Sequence, residues 1–338
     1  MHAFWIALSL SVTTANAHMN SEAMALPLNA SVSPATGLVA TEWGFKSDVI
    51  KIPDGVTEVV PSWEAYTPGD SSVAVYIKVG GRNFAMGEWS ETKRTSVNKQ
   101  ENDNALVSTD TLILRQPVDE IQFMVEVNSG SNGEKPELKH LFWTLSGKAL
   151  TPEVPWDQRA ISPLSVPIRA QGDYPNPDKI CSPTSLSMVL GYWAEKIDRP
   201  ALDRDVVSTC SGVFDPGWDG TGNWSFNTAF AASLPGMTGR VARLRGIAEL
   251  EIWLRAGVPV VCSVAYDFLK GKPDRSGKDG HLVVVIGVDA EGNLIFNDPG
   301  KKPVRLTYLR SNFARAWETS SRTVYLVHPD RWLVPALQ

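Results

Sequence analysis

The sequence lacks the features that define several large classes of protein. Its 338 residues include 3 cysteines and 5 histidines, and its formal net charge at pH 7 is -5. Three cysteines are too few for a disulfide framework, and their spacing is not that of a metal site. Without an excess of basic residues, the chain has no field that would attract nucleic acid. We therefore predict no metal, no cofactor and no nucleic-acid partner.

Long hydrophobic runs are also missing, since no stretch approaches the roughly 20 apolar residues that a membrane-spanning helix needs. The first residues contain a shorter apolar stretch, Phe4 to Val12, which is followed by Ala15-Asn16-Ala17. An apolar stretch before a small-x-small site is typical of a secretory signal, although no Lys or Arg precedes this one. The prediction is a signal peptide over residues 1–17 and a secreted or periplasmic bacterial protein without a membrane span.

The rest of the sequence divides into two regions with different secondary-structure patterns, joined by a linker. Residues 28–148 contain short segments rich in β-branched and aromatic residues, separated by turn residues, which predicts an all-β sandwich domain. Residues 149–166 are rich in proline, as in a stiff linker. Residues 167–336 begin with a helical pattern and continue with strand patterns, which predicts an α+β domain.

Cys181 stands at the beginning of the helical pattern, where Pro183 fits the first turn. At that place the unpaired backbone N–H groups and the positive end of the helix dipole favour a thiolate over a thiol. The alternative is a buried structural cysteine. Cys262 lies in an apolar strand pattern and is predicted to be a core residue, while Cys210 either pairs with it or stays free.

His281 is the histidine best placed to act as a base. It opens the apolar run Leu282–Val288, which predicts a strand buried on both faces, and it follows a polar loop. The chain then turns and returns to Asp298, so a hairpin would bring Asp298 to the same edge, provided that a bulge corrects the register. The alternative for Asp298 is a turn residue before Pro-Gly.

An oxyanion formed at Cys181 needs hydrogen-bond donors. The backbone N–H of Cys181 is one candidate, because a helix N-terminus points its amides at negative charge. Gln171, in the polar segment upstream, is the side-chain candidate, and a solvated loop glutamine is the alternative. Together these residues give the nucleophile, base and orienting group of thiol catalysis.

These residues carry a resemblance to a known family. Cys-Ser-Pro-Thr-Ser at 181–185, Gly-Asn-Trp-Ser-Phe-Asn at 222–227, Gly280-His281 before an apolar run, and Asn-Asp-Pro at 297–299 resemble the papain-fold cysteine peptidases of family 39. That family includes the peptidases that remove double-glycine leaders from bacteriocins. The resemblance covers about residues 165–330. The family's usual Cys-Gly-Pro is Cys-Ser-Pro here.

The resemblance implies a papain-like domain over residues 167–336, with Cys181 as nucleophile, His281 as base, Asp298 as orienting residue and Gln171 in the oxyanion hole. The expected activity is hydrolysis of a peptide or protein substrate through a thioester. A peptidoglycan amidase or acyl transferase with the same three residues, and a non-catalytic binding protein, are the alternatives. For the β domain, a surface polymer or a protein is the candidate ligand, and a spacer role is equally compatible.

Overall fold

The computed structural model describes residues 28–97, 99–147, 159–273 and 280–337. The predicted signal peptide and most of the predicted linker lie outside the described residues, as does the polar loop before Gly280. Within them, the chain begins with a region made of strands and continues with a mixed region of helices and strands.

The N-terminal β region spans residues 29–147 and consists of antiparallel strands in two sheets. One sheet has the order β1-β12-β5-β10-β9, and the other has the order β2-β3-β11-β6-β7-β8, with β4 paired to β11. The strands are β1 Asn29–Val32, β2 Leu38–Thr41, β3 Gly44–Ser47, β4 Ile50–Lys51, β5 Val56–Tyr66, β6 Ser72–Val79, β7 Arg82–Trp89, β8 Arg94–Thr95, β9 Ala105–Ser108, β10 Thr111–Leu114, β11 Glu120–Asn128 and β12 Glu137–Gly147.

Alternating side chains of both sheets meet in one hydrophobic core. Trp63 and Trp143 come from the first sheet, and Trp89 and Phe123 come from the second. The rings of Phe123 and Trp143 lie 4.9 Å apart. Because successive strand residues point to opposite faces, each strand can give its apolar half to this core.

The C-terminal region is α+β, as predicted. Its six-stranded antiparallel sheet has the order β13-β18-β14-β15-β16-β17, and helix α1 packs on β15. The elements are α1 Cys181–Lys196, α2 Val206–Val213, α3 Trp224–Ser233, β13 Met237–Arg243, α4 Ile247–Arg255, β14 Val260–Ala265, α5 Tyr266–Leu269, β15 Gly280–Val288, β16 Leu294–Asn297, β17 Arg305–Tyr308, α6 Arg310–Glu318 and β18 Thr323–Pro329.

Helix α3 corrects one interpretation of the sequence. From the sequence alone we interpret Gly222–Asn227 as a structural loop, with a substrate groove lined by Trp224 as the alternative. The segment instead contains the N-cap and first turn of a helix. The Asn223 side chain caps that helix by accepting a hydrogen bond from the N–H of Phe226 at 3.0 Å. Residues 225–229 are buried on every side of the helix, so no amphipathic period reveals it.

The same segment joins the two regions. Phe226 is fully buried in the core of the β region, with its ring centroid 6.1 Å from that of Trp63 and 5.7 Å from that of Trp89. The N–H of Trp224 donates to the carboxylate of Asp110, and the Ser225 hydroxyl donates to the Pro61 carbonyl at 2.6 Å. The motif thus provides a docking surface between the regions.

Candidate active site

Cys181 is the first residue of α1. The N-cap residue, Ile180, provides no side-chain cap, so the first N–H groups of the helix remain available. The sulfur accepts hydrogen bonds from the backbone N–H groups of Ser182 and Leu282, and its side chain is partly exposed. The sulfur therefore lies among donors that stabilise a thiolate.

The first turn of α1 is fixed against the sheet by hydroxyl groups. Ser185 donates to the carbonyl of Leu282 at 2.9 Å, which ties α1 to β15. The Ser182 and Tyr325 hydroxyls are 2.9 Å apart in a buried hydrogen bond that ties the helix to β18. These contacts position the end of α1 that carries the sulfur beside the strand that carries the histidine.

His281 lies near the start of β15, opposite Val264 of β14. Its side chain is hydrogen-bonded to that of Cys181, and its Nε2 lies 2.7 Å from Oδ1 of Asp298. The Tyr266 ring covers the imidazole, with centroids 4.2 Å apart, and His281 is only 4 % exposed. Since Nε2 faces the carboxylate, Nδ1 is the nitrogen that faces the sulfur.

A bulge in the hairpin determines where Asp298 lies. Val288 pairs with Leu294 and Gly287 with Ile295, but the register then shifts, so that Asn297 pairs with Val284. Asp298 therefore follows opposite Val283, on the sheet face that also carries His281. Without the extra residue in β15, Asp298 would point to the other face, because a one-residue slip reverses every side chain.

The Asp298 carboxylate is fully buried and has three donors. Besides the imidazole, Oδ1 accepts from the N–H of Gly300 at 2.8 Å, and Oδ2 accepts from the hydroxyl of Tyr308 at 2.6 Å. Tyr308, in β17, is absent from the residues expected from the sequence. Because a long loop separates β16 from β17, the sequence does not predict that the two strands pair. No sequence motif points to Tyr308 either.

The three side chains shift one another's charge states. Burial raises the pKa of the Cys181 thiol, but the hydrogen bond and charge of His281 outweigh burial, and the pKa is lowered. Burial lowers the pKa of His281, yet its bonds to Asp298 and Cys181 raise it to about 9. Burial likewise opposes ionisation of Asp298, but His281, Tyr308 and Gly300 hold its pKa below the ordinary value. The site favours a thiolate beside an imidazolium.

Gln171 lies beside this group without joining it. It begins a short 3-10 helix, Gln171–Asp173, and its backbone N–H donates to the Pro299 carbonyl at 2.9 Å, next to Asp298. Its side-chain Nε2 donates to the Pro177 carbonyl at 2.8 Å, and its Oε1 is buried with no hydrogen-bond partner among the described residues. The structure therefore brings together Cys181, His281 and Asp298, while the Gln171 amide is bonded to the segment before the nucleophile.

Three further observations concern metal sites, membrane spans and the other two cysteines. Among the described residues, no group of three or more His, Cys, Asp and Glu side chains could hold a metal ion. None of the helices in residues 28–97, 99–147, 159–273 and 280–337 is long and apolar enough to cross a membrane. Cys210 and Cys262 are free thiols, and Cys262 is buried in β14.

Two family models match the sequence, one in each region. Residues 163–325 match the model of the Peptidase_C39 like family, and residues 30–146 match that of the Peptidase C39 N-terminal domain. Residues 163–325 are therefore similar to a C39-like peptidase domain, and we call them the C39-like domain. This family is one of cysteine peptidases, and the predicted fold class and family resemblance are confirmed.

One solved structure similar to the C39-like domain is a Bacillus anthracis protein assigned as a C39-like peptidase. It is 21 % identical, the match covers 50 % of this chain and 98 % of that one, and the TM-score is 0.38. No curated protein matches the sequence. The family models therefore carry the assignment.

Proposed function

We propose that the chain is a thiol peptidase in which Cys181 is the nucleophile, His281 the acid–base residue and Asp298 the orienting residue. One observation carries the proposal: the three side chains form a continuous hydrogen-bonded series, Cys181–His281–Asp298. A series of nucleophile, imidazole and carboxylate is the arrangement that activates a nucleophile in acyl transfer. Membership of a cysteine peptidase family supports the same conclusion.

The proposed reaction has two steps. The Cys181 thiolate attacks the carbonyl carbon of the scissile amide, and the oxyanion is stabilised by the backbone N–H of Cys181 and by the second N–H of the Gln171 side-chain amide, whose other N–H donates to the Pro177 carbonyl. The C–N bond then breaks, the His281 imidazolium gives its Nδ1 proton to the leaving amine, and a thioester remains. In the second step neutral His281 takes a proton from water, the hydroxide adds to the thioester, and the C–S bond breaks to restore the thiolate.

Selective alkylation tests the proposal. We expect iodoacetamide to modify Cys181 well before Cys210 and Cys262 in the native protein, because only the thiolate is nucleophilic. Burial raises the pKa of Cys210 to about 11 and holds that of Cys262 well above its ordinary value, which makes both thiols internal controls. We also expect Cys181→Ala to abolish cleavage of peptides by the purified protein. Equal labelling of all three thiols, or cleavage that survives the substitution, would contradict the proposal.

We further propose that the protein is secreted or periplasmic and acts on a peptide or protein. The support is the signal-like sequence of residues 1–17. Sequencing of the exported protein is expected to give an N-terminus near His18, and an intact leader in the mature protein would contradict this. The proposed role of residues 28–148 is that of a β-sandwich whose packing on α3 supports the C39-like domain.

A further inference from the structure

Two lysines stand beside the candidate active site, on a chain whose formal net charge is -5. They lie around the ring of Tyr266, the first residue of α5, which covers the imidazole of His281. The Nζ atom of Lys270 lies 3.8 Å from the centre of that ring, and the Nζ atom of Lys301 lies 5.7 Å from it. The two ammonium groups and the proposed acid–base residue are therefore neighbours of one aromatic ring.

The charge around this ring is not balanced. Lys270 pairs with Asp267 of the same short helix at 3.0 Å, and Lys302 pairs with Asp173. Lys301 lies between these pairs, is only partly buried, and forms no ion pair with any of the described residues. Its ammonium group therefore leaves a surplus positive charge next to His281, where an anionic group of a ligand would find a partner.

The backbone joins Lys301 to the candidate catalytic residues. Lys301 follows Gly300, whose N–H donates to Oδ1 of Asp298 at 2.8 Å. A Cβ atom on Gly300 would lie 3.1 Å from the hydroxyl oxygen of Tyr266 and 3.2 Å from Cε1 of His281. The segment that carries Lys301 therefore runs directly against the imidazole, and the lysines belong to the same wall of the site as His281.

The position of His281 decides which part of a substrate meets the lysines. The imidazolium must protonate the leaving amine, so the leaving part of the substrate extends over the His281 side of the sulfur. Tyr266 and residues 300–301 lie on that side, against the imidazole itself. Since an extended peptide advances about 3.3 Å per residue, the first residues after the scissile bond pass within reach of both ammonium groups.

We propose that Lys270 and Lys301 bind a carboxylate in the leaving part of the substrate. The inference rests on the proposed peptidase function and adds a substrate class to it: peptides with Asp or Glu just after the scissile bond. An ammonium group is a point charge with three donors and does not fix the orientation of a carboxylate, so both acidic side chains fit. The C-terminal carboxylate of a short substrate has the same chemistry, and the experiment separates the two sources.

The experiment first locates a cleaved sequence by mass spectrometry of a random peptide library. It then measures kcat/KM for matched peptides with Glu or Gln at each of the first three positions after the scissile bond, each with a free and an amidated C-terminus. We expect the wild type to prefer Glu by about fivefold at low salt, and less at high salt, since exposed ion pairs are weak and screened.

Charge variants of Lys301 test the assignment. Lys301→Gln is expected to remove most of the preference for Glu, and Lys301→Glu to reverse it, because like charges repel. The matched control is Lys196→Gln, at an exposed lysine that ends α1 at the opposite end from Cys181. It is expected to leave the Glu-to-Gln ratio unchanged.

The outcomes separate this inference from the proposed function. Cleavage that depends on Cys181, with a Glu-to-Gln ratio that both Lys301 variants leave unchanged, would overturn the inference and keep the peptidase. A preference for acidic residues confined to the acyl side would do the same. A preference that follows the free C-terminus and is lost in Lys301→Gln would support the carboxylate site and assign it to the end of the substrate. Absence of any cleavage that depends on Cys181 would overturn the peptidase and the inference together.

Discussion

Replacing Asp298 by asparagine should change the charge state of the whole candidate site. Asparagine has nearly the shape of aspartate but no charge, so His281 would lose the anion 2.7 Å from its Nε2. With the amide oxygen in the place of Oδ1, the Gly300 N–H keeps an acceptor, although a weaker one, whereas the Tyr308 hydroxyl faces the amide NH2 and must rotate to accept from it. The variant therefore removes charge while disturbing the packing little.

The magnitude follows from the loss of a neighbouring opposite charge, which typically shifts a pKa by about 1–3 units, each worth about 1.4 kcal/mol. The pKa of His281 is about 9 in the intact site, and we expect it to fall in the variant. The thiolate–imidazolium pair exists between the pKa of Cys181 and that of His281. A lower pKa of His281 moves the alkaline limit of this pH range down. A less charged imidazole also lets the pKa of Cys181 rise, which moves the acid limit up, so the range becomes narrower at both ends.

The assay is the rate of Cys181 alkylation by iodoacetamide between pH 5 and pH 10, about the range in which the two groups titrate. In the wild type we expect a reactive thiolate on the acid side of neutrality, where an ordinary thiol is unreactive. In Asp298→Asn we expect the rate near about pH 6 to fall by about tenfold or more, in line with a shift of one unit. Asp103→Asn, at an exposed residue of the β region, is the matched control. A variant profile that overlays the wild-type profile would refute the assignment of Asp298.

Two other predictions concern residues beside the site and between the regions. Gln171→Ala should lower kcat by about 10²–10³-fold, because the variant loses an amide that stabilises the oxyanion, and should leave the alkylation of Cys181 unchanged. Gln122→Ala, which also removes a side-chain donor to a carbonyl, is the control. A kcat of Gln171→Ala within a few-fold of wild type would contradict the oxyanion role of Gln171. Phe226→Ala should cost about 3–5 kcal/mol in the free energy of unfolding, measured by denaturant titration, whereas the exposed Phe214→Ala should cost far less; an unchanged midpoint for Phe226→Ala would show that the docking surface contributes little.

The parts of the site that the sequence reveals are those at the ends of regular elements. Cys181 precedes a helical pattern and His281 precedes a strand pattern, so residue type and position alone suggest chemistry at both. The position of Asp298 is harder to predict, because the sheet face on which its side chain lies depends on a single extra residue in β15. A hairpin pattern shows that two strands pair, but the sequence does not locate a bulge inside an unbroken apolar run.

The parts that the sequence conceals depend on contacts between distant segments. Tyr308 reaches Asp298 because β17 adds to the sheet edge, and Gln171 reaches Pro177 through a short 3-10 turn. The segment Gly222–Asn227 has a polar pattern that resembles a loop, yet most of its side chains are buried where the two regions meet: Asn223, Ser225, Phe226 and Asn227. Burial against another region removes the amphipathic signal on which helix prediction relies.

The docking of the two regions bears on the nucleophile itself. The first turn of α1 is tied through Ser182 to Tyr325 of β18, and β18 pairs along its length with β13. Strand β13 in turn packs on the β region, where the N–H of Val241 donates to the Ser62 hydroxyl at 3.0 Å. Removing the β region would expose Phe226 and leave the N–H of Val241 without this acceptor. The scaffold that positions Cys181 therefore extends beyond the C39-like domain, because the strands behind α1 are themselves held by the N-terminal β region.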